Sequence, residues 1–143
     1  MTLEHAERQR LALAALGHRA DPAADAAAIA AAAERLYDDL ARVAVALIGQ
    51  VSVDALTGRT LYLAQQQFPW LAHTREPTQW TGALAQIVFG LERQEPAVAR
   101  EAGAAVFAIL TGLLVTFVGE PLTTGLLRKA WPEAFTVAPT EET

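Results

Sequence analysis

A chain of 143 residues is the size of one ordinary domain and can bury a real core. It is 52% hydrophobic and 19% charged, holds no cysteine, and carries a formal net charge of −5. Disulfides, thiolate metal sites and a thiol nucleophile are thereby excluded. The eleven Lys and Arg are scattered, so no basic stripe is present to neutralise nucleic-acid phosphates.

Alanine and leucine with Glu, Arg and Gln dominate, while β-branched residues seldom alternate, which predicts an all-α chain. The expected architecture is a single-domain bundle of five or six helices over residues 1–138, with a polar tail at 139–143 and no legible repeat. The N-terminus is charged from the start, with Glu4 and Glu7 ahead of its apolar part, so a secretory signal is not expected and a cytoplasmic location is.

The first helix is expected over Leu3–Leu16, stopped by Gly17. The second begins with Asp21 as cap and Pro22 in its first turn. Ile29, Ala33, Leu36, Leu40, Val43 and Leu47 form one stripe along it. Arg35 with Asp39, and Asp38 with Arg42, are opposite charges at i,i+4 on the other face. "VAVALIG" then turns apolar all round, and Gly49 marks an end or bend.

A third helix is expected from a Ser52 or Asp54 cap to the residues before Pro69, with Leu61, Ala64, Phe68 and Leu71 on one face. The fourth has Pro77 near its start and the amphipathic series Trp80, Leu84, Ile87, Val88, Leu91. Pro96 starts a fifth that runs to Gly119, where Pro121 biases Glu120 out of helical geometry. A last helix from Pro121 to Trp131 carries Arg128 and Lys129 in its final turn, suited to the exposed carbonyls, and Pro132 stops it.

Ala102–Gly119 contains no ionisable side chain, which raises the question of a membrane span. A span needs roughly 20 apolar residues, so this stretch only just qualifies. Arg100, Glu101 and Glu120 flank it, without a basic cluster or an aromatic belt. Ala104, Ala108, Gly112 and Thr116 recur every four residues as a small-residue ridge that lets another helix approach closely. The stretch is therefore expected to be the central core helix.

Candidate chemistry is sparse. His73 and Glu76 form an H-x-x-E pair, but a di-metal bundle needs further inward carboxylates and a second such pair. His18 follows the helix-terminating Gly17, where it is expected to cap carbonyls, and no pocket or proximal helix position for a haem is legible for His5, His18 or His73. Glu34, Asp38 and Asp39 share a polar face with arginines, a poor setting for general acid–base work. No phosphate-binding glycine loop occurs. Glu120 is a lone acid ahead of a proline-started helix, where capping suffices as a role. No catalytic residue, metal or cofactor is expected.

The resulting expectation is a non-enzymatic adaptor or interaction module, a small signalling or assembly subunit that binds a partner protein or itself. Ile29, Leu36, Leu40 and Val43 are the expected partner surface. Phe68 and Trp70 around Pro69 are further anchor candidates, with packing of a helix end as the alternative. Two other readings are a protein anchored in a membrane by residues 102–119, and a bundle with an apolar ligand pocket lined by Trp80, Phe89 and Phe107.

Overall fold

The computed structural model describes residues 4–72 and 82–135. His73, Glu76, Pro77, Trp80 and the tail at 139–143 lie outside the described residues. Among those described, the chain forms six α-helices and two short 3-10 turns, with no strand. The helices are α1 (His5–Arg19), α2 (Ala26–Ile48), α3 (Gln50–Gln67), α4 (Ala83–Glu92), α5 (Pro96–Val118) and α6 (Glu120–Ala130). The 3-10 turns span Pro69–Ala72 and Pro132–Phe135. The fold is the expected all-α bundle.

Several helix ends differ from the sequence reading, each for a local reason. Gly17 does not stop α1, which continues to Arg19 and is capped at Ala20. One internal glycine costs a helix only about 1 kcal/mol, and the extra turn brings Arg19 to ion-pair partners on two other elements. Asp25, not Asp21, caps α2 by accepting a hydrogen bond from the Ala28 N–H. Asp21 instead accepts from the Ala23 N–H in the preceding turn. α3 begins at Gln50, ahead of Ser52 and Asp54. Glu120 is the first residue of α6, with Pro121 in its first turn.

Two of the helix joints are single glycines with nearly the same geometry. Gly49 has φ 91° and ψ 159°, and Gly119 has φ 96° and ψ 159°. Side-chain-bearing residues avoid this region, which is why glycine stands there. Each joint closes one helix and opens the next: the Gly49 N–H donates to Val45 and its carbonyl accepts from Val53. At Gly119 the equivalent partners are Val115 and Thr123.

That likeness extends well beyond the joints. α2 and α5 both have 23 residues, and their caps Asp25 and Glu95 stand seventy positions apart, as do Gly49 and Gly119. The same shift pairs buried residue with buried residue: Ile29 with Ala99, Ala33 with Gly103, Leu36 with Val106, and Leu40 with Leu110. It continues across the joint, pairing Val53 with Thr123, Thr57 with Leu127, Leu61 with Trp131, and Ala64 with Ala134. The chain thus divides into two three-helix units, α1–α3 and α4–α6, whose second and third helices share this layout.

The units interlock rather than sit side by side. α1 packs chiefly on α5 of the other unit, and α4 on α2; α3 also lies on α5, and α6 on α2. Exchanging the units maps this pattern onto itself, which is the signature of an internal two-fold. One contact breaks it: α3 touches α4, whereas α6, with 11 residues against 18, makes no matching contact with α1 among the described residues.

α5 is the expected central helix, and α2 is its equal. Ala102, Ala104, Ala108, Phe107 and Leu114 of α5 are buried, as are Ile29, Leu36 and Leu40 of α2. α1 crosses α5 where small residues lie. Leu16 packs at Gly103, while the Arg8 Nε–H donates to the Ala108 carbonyl at 3.1 Å and its guanidinium lies over Gly112. These contacts run α1 antiparallel to α5 along Ala104, Ala108 and Gly112. Thr116 lies beyond the contact, exposed, and its hydroxyl donates back to the Gly112 carbonyl.

Candidate functional site

The expected partner stripe on α2 is largely unavailable. Ile29 and Leu36 are fully buried and Leu40 nearly so, all within the chain's own core. The reading of these three as a partner surface is corrected by this burial: α2 packs against all five other helices, chiefly α4 and α6, and Leu40 lies beside Val53, Leu56, Leu110 and Leu114 of α3 and α5. Trp131 shows how completely, since its buried indole N–H donates to the Leu36 carbonyl at 3.1 Å. Its ring stands edge-on to Phe107, centroids 5.6 Å apart.

Val43 is half-buried and marks where the stripe emerges. Beyond it, α2 and α6 diverge around a groove of about 560 Å³. Val43, Ala46 and Leu47 form one wall; Pro121, Leu122, Gly125 and Leu126 form the other. Leu47 is 46% exposed and Leu122 51%. Small residues at Ala46 and Gly125 keep the groove open between them. The two charged residues lining it, Arg42 and Lys129, are both cations. The Arg42 guanidinium is shared with Asp39 at 2.9 Å, so Lys129 carries most of the basic character of this margin.

Only Val43 and Leu47 of this groove lay on the stripe read from sequence. Leu122, Leu126 and Lys129 share one face of α6 at i, i+4 and i+7, a signal that was present. Lys129 had a sufficient explanation as a charge at a helix end, and that explanation obscured its position on the groove.

Phe68 and Trp70 are both half-buried and touch each other at 5.7 Å between centroids. Trp70 packs on Gly90 of α4, where a Cβ would meet Leu71 at 2.8 Å and the indole at 3.3 Å. Their observed role is the packing alternative, clamping the first 3-10 turn to α4. Phe107 is a core residue, and Phe89 carries the Arg93 guanidinium over its ring at 5.2 Å. These two therefore do not line the apolar groove, and Trp80 lies outside the described residues.

The acidic face of α2 is structural as well. Asp39 accepts from Arg19 at 2.5 Å and from Arg42 at 2.9 Å, so Arg35 is not its partner. Arg35 instead donates to the Arg19 carbonyl. Arg19 also pairs with Glu133, tying α1, α2 and the second 3-10 turn together. Burial pushes the Asp39 carboxyl up, but the hydrogen bonds from Arg19 and Arg42 outweigh it and hold the group below its ordinary value. Tyr37 is raised by burial, and its hydroxyl meets Thr57 at 2.8 Å. Since the Thr57 hydroxyl donates to the Val53 carbonyl, Tyr37 is the donor to Thr57. Among the described residues no group of three His, Asp or Glu is placed to hold a metal ion.

Comparison with protein-family models, with curated proteins and with solved structures finds no match.

Proposed function

We propose that the chain is a non-enzymatic interaction module whose α2/α6 groove receives an amphipathic helix of a partner protein, one with acidic residues beside its apolar face. The observation that carries this is the groove itself: aliphatic walls, exposed Leu47 and Leu122, and Arg42 and Lys129 as its charged residues. Helices commonly bind in such grooves through apolar anchors at i, i+3 or i+4, and i+7, and the cations favour acidic flanks and speed encounter. With Ile29, Leu36 and Leu40 buried in the chain's own core, the open groove supports this reading better than the stripe does.

The test is a titration with a synthetic amphipathic helix bearing leucines on one face and glutamates beside them, followed by fluorescence anisotropy. Leu122→Asp is expected to weaken binding at least about tenfold, the loss of one apolar anchor with a charge left in its place. Lys129→Glu should weaken it less and flatten its salt dependence. Binding that ignores both substitutions overturns the reading.

Membrane anchoring is the competing outcome. α5 is long and apolar enough to cross a bilayer by length and composition, with a mean hydropathy of 2.0 over its best window. Its apolar side chains face α1, α3 and α6, so insertion requires dismantling the bundle. Flotation of the intact protein with lipid vesicles would support the anchor and count against the groove.

A further inference from the structure

The internal two-fold places a second surface where the groove has its counterpart. The shift that carries Gly49 onto Gly119 relates Val43 to Leu113, Leu47 to Phe117, Val51 to Pro121, Leu56 to Leu126, and Arg59 to Lys129. The counterpart therefore lies along α5 and α3. Phe117 is 55% exposed and Val51 83%. Of the six exposed large hydrophobics among the described residues, Leu47, Leu122, Phe117 and Val51 thus fall on these two related faces.

The cationic margin is repeated too, by different means. Arg59 occupies the Lys129 position, its guanidinium 5.3 Å from the Tyr62 ring centre. The counterpart of Arg42 is Gly112, and the Arg8 guanidinium from α1 fills the space above it, 3.1 Å from where a Cβ would stand. Asp54, the nearest acid on α3, lines a hollow with Tyr37 and Gly82 instead. The likeness is partial: Leu122 corresponds to Ser52, and of the positions related to Lys129 and Arg42 the first holds Arg59, while over the second the Arg8 side chain from α1 also donates to the Ala108 carbonyl.

We propose that the α3/α5 face is a second docking site for the same class of ligand, an amphipathic helix with acidic flanks, so that one chain holds two. This rests on the reading of the α2/α6 groove given above. The partner it fits presents two such helices, and joint engagement would raise avidity beyond either site alone.

Calorimetric titration of the intact chain with the synthetic leucine–glutamate helix tests it. Two peptides per chain are expected, one after Phe117→Asp, one after Leu122→Asp, and none after both. Phe117 and Leu122 are exposed, so helicity measured by circular dichroism should be retained in all three variants. One peptide per chain, lost with Leu122→Asp and untouched by Phe117→Asp, overturns the second site and leaves the first standing. One peptide lost on either substitution means a single shared site and also overturns it. No binding to the unsubstituted chain, or binding indifferent to both changes, overturns the two sites together.

Discussion

Trp131 donates its indole N–H to the Leu36 carbonyl, a bond that joins the end of the second three-helix unit to the middle helix of the first. The ring is fully buried and also meets Phe107 of its own unit edge-on. One side chain therefore fastens α6 to both central helices. Trp131→Ala is expected to cost about 3–5 kcal/mol, the range for deleting a large buried aromatic. Urea denaturation followed by circular dichroism measures it.

Leu36 and Leu122 offer an opposed pair. Leu36→Asp puts a carboxylate at a fully buried position and is expected to unfold the chain, since an unpaired buried charge has no compensating partner. Leu122→Asp, at an exposed position, should shift stability by no more than about 0.5 kcal/mol. Thermal melts of the two variants separate a core stripe from a surface.

The glycines divide in the same way. A Cβ at Gly49 meets nothing within 4 Å, so any loss in Gly49→Ala comes from backbone strain at φ 91° and should be about 1–3 kcal/mol. Gly58 also has open space around it but sits inside α3. Gly58→Ala is expected to stabilise by about 0.4–1 kcal/mol. Gly90→Ala should destabilise by about 1–3 kcal/mol as Leu71 and Trp70 are forced aside. Melting temperatures of the three variants should fall in that order of sign.

Acid should act through Asp39. Its folded value lies below the ordinary 3.8, so it binds its proton more weakly in the folded chain than in the unfolded one. Its stabilising contribution is full above the ordinary value and disappears as pH falls through the depressed one. Asp39→Asn should therefore lower stability at neutral pH by about 1 kcal/mol or less, the pairs being partly exposed. The gap between variant and parent should close well below pH 3.8. Urea titrations at the two pH values test the sign.

Helical class, the Pro96 and Pro132 boundaries, the Gly49 and Gly119 breaks and the small-residue ridge were all legible in the sequence. The α2 stripe was legible as apolar, but periodicity identifies a face without saying what covers it. Here α2 is packed on by every other helix, including α4, α5 and α6, which are distant in sequence. The likeness of α2–α3 to α5–α6 stayed hidden because related positions that share burial rarely share a residue. Leu36 corresponds to Val106, Thr57 to Leu127, and Leu61 to Trp131, whereas exposed Glu34 and Arg35 correspond to buried Ala104 and Ala105. Packing constrains total volume more tightly than identity, so interlocked units can diverge jointly while their burial pattern persists.

The interlock also bears on synthesis. Because α1 packs chiefly on α5, and α2 chiefly on α4 and α6, much of the cover for the first unit's apolar face comes from helices made after it. A nascent chain grows at roughly 5–20 residues per second, so Ile29, Leu36 and Leu40 wait several seconds for their cover. Folding must then close contacts across much of the chain, which slows a helical protein relative to bundles built from neighbours. During that interval the same face can capture the second unit of another molecule, and crowded translation would favour exchanged dimers.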